Sequence, residues 1–266
     1  MSKTGFTDLL AGLTRRPDGS FSAAITPDWM QGRTTYGGLT AALCFEAARP
    51  LAGDMPLRAV QVAFVGPSGG EVVMTPSLLR QGKNTAFVNV DLTGPQGLAA
   101  RTVFTFGKRR ESAYRVNDLP MPDTVPGPDE TGPMFRGERA GPHFTQHFDV
   151  HLAEGQPPVS AAPDPMIGLW LRHRDEATQA SPTSILAMAD APPPAVMSLF
   201  EAPAPISSMT WMAEFLTEDY ASDGGWYFAR HVAQTATDGY SSQSMRLWSR
   251  SGRPVLIGRQ TIAIFA

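Results

Sequence analysis

The pentapeptide Gly66-Pro67-Ser68-Gly69-Gly70 has the G-x-S-x-G spacing that presents the nucleophilic serine of many hydrolases. That chemistry requires a strand before the turn and a helix after it, so that the serine stands exposed on a sharp bend. Here Glu71 to Leu79 follows and reads as a strand, so the pentapeptide is expected to be a hairpin turn. Of the five histidines (His143, His147, His151, His173 and His231), His147 and His151 are four residues apart, the spacing of a metal pair on a helix. Phe148 to His151 alternates like a strand, however, and the glutamate of an H-E-x-x-H motif is missing. The pair is expected on a sheet, partly exposed. Cys44 is the single cysteine, which excludes an intrachain disulfide and a cysteine zinc cage. Among alanines it reads as a small buried hydrophobe. Lys108-Arg109-Arg110 reads as a solvated charge run. Gly66, Gly69 and Gly70 have the wrong spacing for a P-loop or dinucleotide fingerprint. No metal and no cofactor is expected.

The elements that must position any chemistry follow from periodicity. Gly38 to Arg49 is small and apolar nearly all round, the pattern of a buried helix, and Pro50 is expected to stop it. A strand at Phe21 to Thr26 precedes it. Leu57 to Val65, Glu71 to Leu79, Asn84 to Leu92 and Leu98 to Phe106 read as strands after it. From Gly107 to Pro142 periodicity disappears and six prolines enter, the composition of a linker. Strand text returns at Thr145 to Leu152 and Met166 to His173. Ser181 and Pro182 look like an N-cap and a first helical position, with the helix running to about Asp190 before Pro192, Pro193 and Pro194. Strands are expected at Ile206 to Leu216, Trp226 to Thr235, Tyr240 to Ser249 and Val255 to Phe265. The closing strands match: ARTVFTF ends at Phe106 and RQTIAIF at Phe265, 159 residues apart, which sets Arg101-Thr102 on Gln260-Thr261. One module used twice explains this order.

The 266 residues carry a formal charge of −3, a sequence pI near 5.9 and 18% charged side chains. This balance argues against nucleic acid and against a polybasic membrane anchor. The N-terminal text has no apolar leader, and no stretch approaches the roughly 18 uninterrupted apolar residues of a membrane span, so a cytoplasmic protein is expected. The 25 glycines and 24 prolines fit a turn-rich, strand-rich chain with a hidden interior.

A small-residue helix followed by an antiparallel sheet that must wrap it, twice over, resembles the double hotdog of the acyl-CoA thioesterase II-like (TesB-like) family. TPDWMQGRTTYGGLTAALCFEAARP is similar to that family's entry to its first helix, with its W, G, F-G-G and A positions. The text from AFVGPSGG to ARTVFTF is similar to its following strands, and SGRPVLIGRQTIAIF to its last. The resemblance covers most of the chain apart from the linker. It implies an α+β double hotdog, two antiparallel sheets each wrapped around a central helix in one pseudo-dimeric unit. The units are residues 1–107 and 144–266, with a proline-rich linker at 108–143. It also implies hydrolysis of acyl-CoA by an aspartate, a glutamine and a threonine that position a water. The aspartate falls on Asp190 and the glutamine on Gln260. At the threonine the chain departs from the family, with Ile206 at the best match. Ser207, Ser208 and Thr210 are the hydroxyls nearby, and Ser208 is taken as the candidate.

The same chemistry can be argued from the groups themselves. A thioester leaves as a weakly basic thiolate, with a thiol pKa of about 8.5. The enzyme must therefore mainly orient a water, accept its proton and stabilise an oxyanion. A carboxylate at a helix end, a buried amide and free N–H groups at a helix start supply these. Tyr36, Gly37 and Gly38 stand where the first helix begins and are candidate substrate contacts, because glycine lets a ligand approach the backbone. Apolar residues between sheet and helix would form the acyl tunnel. Two alternatives remain: a non-catalytic acyl-thioester-binding protein, and an enoyl-CoA hydratase using Asp149 and His151. Edge strands leave a homodimer of double hotdogs open.

Overall fold

Small side chains over Gly37–Ala52 make helix α2, and their small size lets other elements close on almost every side of it. Leu39, Leu43 and Phe45 on this helix are buried, each stabilising the core by roughly 1.5–3 kcal/mol. The helix does not stop at Pro50. It runs on to Ala52, because a proline in an exposed last turn forfeits only one hydrogen bond, and Gly53 ends it at φ 62°. Helix α3 (Pro182–Ala189) begins as the sequence predicts. Ser181 caps it, accepting from the Ser184 backbone N–H while the Ser184 side chain accepts from the Ser181 N–H, an arrangement that contributes about 1 kcal/mol. A short α1 (Phe6–Ala11) lies at the start of the chain.

These helices belong to a computed structural model that describes residues 3–135 and 141–265. The strands are β1 (Thr14–Arg15), β2 (Phe21–Ile25), β3 (Met30–Gln31), β4 (Thr34–Thr35), β5 (Leu57–Phe64), β6 (Gly70–Gln81), β7 (Thr85–Gly94) and β8 (Gly97–Gly107). The second half adds β9 (Phe148–Gly155), β10 (Met166–His173), β11 (Ile206–Phe215), β12 (Tyr227–Thr237), β13 (Tyr240–Ser249) and β14 (Pro254–Ile264). Twelve of them form one antiparallel sheet in the order β1-β2-β6-β7-β8-β5-β11-β14-β13-β12-β10-β9, while β3 and β4 pair separately. The halves meet where β5 pairs with β11, Val62 facing Trp211. Helix α2 lies against β6, β7 and β8 and packs on α3. This is the α+β double hotdog.

Several local expectations are corrected. Gly66–Gly70 is not a hairpin turn, because β5 pairs with β8 and β11 while β6 pairs with β2 and β7. The pentapeptide is a crossing between distant strands. Its Ser68 is buried, and the Ser68 carbonyl accepts from the Thr35 N–H at 2.6 Å, which fixes the chain just before α2. The register of the internal match also shifts by one. Arg101 points outward and Gln260 inward, whereas Arg101 and Arg259 share the exposed face and Thr102 and Gln260 the buried one. Strand side chains alternate, so a one-residue slip would exchange the faces.

The proline-rich segment after β8 straps the outer face of the second sheet half. Trp170, Phe228 and Trp248 form an aromatic row on that face, covered by Met121 and Val125. The Trp248 and Trp170 indoles each donate at 2.8 Å, to the carbonyls of Leu119 and Pro126.

Candidate active site

Strand β11 carries a bulge at Met209 that reverses which side chains face the interior. Beyond it Trp211, Ala213 and Phe215 are buried; before it Ile206 and Ser208 turn inward and Ser207 and Met209 outward. An unbroken alternation would have sent Ser208 to solvent. The bulge instead sets its hydroxyl beside Gln260 on β14, whose side chain is 4% exposed. Gln260 Nε2 donates to Ser208 Oγ at 3.1 Å and to Asp190 Oδ1 at 2.8 Å. The carboxylate, amide and hydroxyl chosen from sequence thus meet, from α3, β14 and β11.

Asp190 is the C-cap of α3. Its carboxylate faces the first turn of α2, at Gly37 and Gly38. A Cβ at Gly37 would stand 2.5 Å from Asp190 Oδ2 and 3.0 Å from the Phe64 ring, so only glycine lets the two helix ends approach this closely. A Cβ at Gly38 would stand 2.7 Å from the Ala187 carbonyl. Burial raises the Asp190 carboxyl from 3.8 to about 7, against the lowering effect of the Gln260 and Gly38 hydrogen bonds. A carboxyl that titrates near neutrality can both take up and release a proton under physiological conditions.

Tyr36 does not fit the substrate-contact role expected of it. Its side chain is fully buried, its hydroxyl donates to the Ala187 carbonyl at 2.9 Å, and its ring stacks on Phe144 with centroids 3.9 Å apart. Burial, with the Asp190 charge adding, pushes its phenol well above the ordinary value. Tyr36 is a joint between the two helix ends. Gly37 is partly exposed beside Asp190, while Gly38 is buried.

The remaining candidates lie elsewhere. His147 ends a 3-10 turn (His143–His147) rather than sitting in β9; it is buried, stacks on Trp29 at 3.9 Å and lies 3.1 Å from the Asp28 carboxylate. Burial holds it below 6.5. His151 meets the Pro128 carbonyl, and Asp149 is held by Arg172 and Arg174, so both are engaged on β9. Cys44 is buried and its thiol is pushed up to about 12. Among the described residues, no three His, Cys, Asp or Glu side chains gather as a metal site would require. A recess of about 330 Å³ lies at the other end of the helix pair, lined by Phe45, Glu46 and Pro182, and Asp190 does not border it.

Sequence reasoning missed Gln243. It is fully buried on β13, directly across from Gln260, and its Nε2 donates to Gln260 Oε1 at 2.8 Å. The signal was present, since Gln243 alternates with the apolar Met245 and Leu247 on one face of a strand. A buried amide there requires partners.

Two family models match the chain: acyl-CoA thioesterase N-terminal domain over residues 25–107 and acyl-CoA thioesterase C-terminal domain over residues 120–264. An uncharacterized protein of Mycobacterium tuberculosis is 28% identical over 191 residues, 60% of this chain and 64% of that protein, so the match spans less than two thirds of the relative. Among solved structures, a protein of unknown function with the hot dog fold from Alicyclobacillus acidocaldarius superposes at a TM-score of 0.85, with 22% identity over 99% of both chains. The tesB protein of Mycobacterium avium gives 0.80, with 16% identity over 98% of this chain and 100% of that one. Acyl-CoA thioesterase II TesB2 from Mycobacterium marinum gives 0.72, with 13% identity over 96% of each. At these identities the likeness establishes the fold.

Proposed function

The chain belongs to the acyl-CoA thioesterase family of paired hotdog domains, and from that premise we propose that it hydrolyses an acyl-CoA thioester with a water held by Asp190, Gln260 and Ser208. The observation that carries the proposal is the double donation of the Gln260 amide, which brings a carboxylate and a hydroxyl to one point. Both Gln260 N–H bonds are used there, and Ser208 Oγ accepts one of them, so the Ser208 O–H is left to donate to water or substrate. In its ionised form Asp190 takes a proton from the water as the water oxygen bonds to the thioester carbon. The oxyanion is met by the Ser208 O–H and the Gly37 N–H at the start of α2. Collapse breaks the C–S bond, the thiolate leaves, and the proton on Asp190 returns to it or to solvent. The products are a free acid and CoA.

Residues 1–107 and 144–266 are read as the two hotdog units. Met121 and Val125 of the linker pack on the second unit, and the C-terminal family match begins at residue 120. No helix among the described residues is long and apolar enough to cross a membrane.

The test follows free thiol release from acyl-CoAs of several chain lengths. Asp190→Asn should lower kcat/KM by roughly 10²–10⁴-fold, the usual contribution of a general base, and Gln260→Ala should do likewise. Binding of every acyl-CoA without thiol release would instead make the protein a thioester-binding one. Loss of a 2-enoyl absorbance without thiol release would assign hydration.

A further inference from the structure

The geometry points to Gln243 as a positioning residue that fixes which way the Gln260 amide faces, and so holds Asp190 and Ser208 in register for the hydrolysis proposed above. The argument begins at the prolines after α3. Pro192, Pro193 and Pro194 have no N–H, so the first backbone donor after Ala191 is Ala195, which opens the 3-10 turn Ala195–Leu199. The Ala195 N–H donates to Gln243 Oε1 at 2.8 Å. A backbone N–H can only donate, so the oxygen of the Gln243 amide must face it and the nitrogen must face the other way. That nitrogen donates to Gln260 Oε1. The Gln260 nitrogen is thereby turned toward Asp190 Oδ1 and Ser208 Oγ. One backbone N–H, relayed through two side-chain amides, decides that the active-site amide donates to the carboxylate instead of presenting an oxygen to it.

The network sits in a dry layer. Gln243 has no exposed surface, and His231, whose Nδ1 lies 3.4 Å from Gln243 Nε2, is 1% exposed. Without Gln243 the Gln260 amide has no fixed partner for its oxygen, and its two orientations become closer in energy. In the flipped orientation two oxygens would face each other across the site. The titratable groups facing this layer are His231 on β12, Asp190 on α3 and Tyr36 at the start of α2. Burial lowers His231 to about 3 and raises Tyr36 well above its ordinary value, so Asp190 alone titrates near neutrality.

Two variants test this, read as pH profiles beside the wild type. Gln243→Leu removes the relay. Its acid limb of kcat/KM should move to higher pH by about half to one unit, because the Asp190 carboxylate loses a hydrogen bond that favours its charged form. Gln243→Glu keeps the shape. While neutral, the introduced carboxyl still accepts from Ala195 and donates to Gln260. Buried glutamates titrate as high as about 8–9, so this variant should match wild type below roughly pH 7 and lose activity as the carboxyl ionises and pulls the Gln260 nitrogen toward itself. The Asp190 carboxyl is also titrated without substrate by ¹³C NMR, using Asp190→Asn to assign the signal. Its midpoint should rise in Gln243→Leu. An unmoved carboxyl midpoint, or a loss of rate equal at every pH in both variants, would overturn the positioning role. A wild type that releases no thiol while its carboxyl still responds to Gln243→Leu would reject hydrolysis and keep the relay. If Gln243→Leu does not fold, Gln243→Glu decides alone, by the presence or absence of its alkaline loss.

Discussion

Replacing Asp190 with asparagine should make the protein more stable while removing its activity, and the gain should depend on pH in a way the structure specifies. Burial raises the Asp190 carboxyl from 3.8 to about 7 in the folded protein. The folded state therefore holds a proton that the unfolded chain has already lost between about pH 4 and pH 7. Stability falls with rising pH wherever the folded state binds more protons, so the wild type loses stability across that window and levels off above it. At 1.36 kcal/mol for each pH unit, the span from 3.8 to about 7 amounts to about 4 kcal/mol. An amide has no such cost. It keeps an oxygen for the Gln260 donor but sets an NH2 group where the second carboxylate oxygen faced the start of α2, which returns about 1–3 kcal/mol of the gain. Asp190→Asn should thus unfold at higher urea concentration than wild type at pH 8, by about 1–3 kcal/mol. At pH 4 it should be level with or below the wild type. The measurement is a pair of urea titrations at pH 4 and pH 8 on each protein. A stability difference that is the same at both pH values would mean that Asp190 is not a buried carboxyl of raised pKa. Thiol release should carry the same titration, with wild-type kcat/KM rising roughly tenfold from pH 6 to pH 8 as a group near 7 ionises.

Two further substitutions address the other members of the site. Ser208→Ala removes the hydroxyl that the Met209 bulge turns inward, and kcat/KM for acyl-CoA should fall by roughly 10²-fold, the cost of one oxyanion donor; Ser208→Thr should retain most of the rate, and an Ala variant as fast as wild type would remove Ser208 from the chemistry. Gly37→Ala sets a methyl 2.5 Å from Asp190 Oδ2, so activity should fall sharply and thermal unfolding should show a loss of about 1–3 kcal/mol from overpacking. Unchanged activity and stability would mean that the two helix ends are not closely apposed.

Most of the fold was legible because it rests on local signals. Alternation marked the strands, small residues marked the buried α2, and Ser181 with Pro182 marked the start of α3 to the residue. Asp190, Gln260 and Ser208 were reached through the resemblance to the thioesterase family, since no local pattern singles them out. What decides the site's geometry is a bulge at Met209, and nothing in ISSMTWMAEF announces a bulge: the break in alternation depends on how β14 pairs with it. Tyr36 misled for a related reason, since its place next to two glycines suggested a ligand while its ring was taken by Phe144 from the other half of the chain.

The corrected internal register then accounts for there being a polar layer in one half and none at its counterpart in the other. Thr102 occupies in the first half the inward position that Gln260 holds in the second, and Val90, its neighbour on β7, occupies that of Gln243 on β13. Thr102 closes its hydrogen bond locally, on the Val90 carbonyl at 3.1 Å, and leaves no group free to reach a helix end. Helix α2 ends in Ala52 and Gly53, where α3 ends in Asp190. Burying an amide is tolerable only when each polar atom finds a partner. A lone glutamine at position 102 would therefore destabilise the first half unless a second amide at 90 and a backbone donor like Ala195 came with it. The polar layer is thereby confined to the half whose proline-broken helix end supplies that donor.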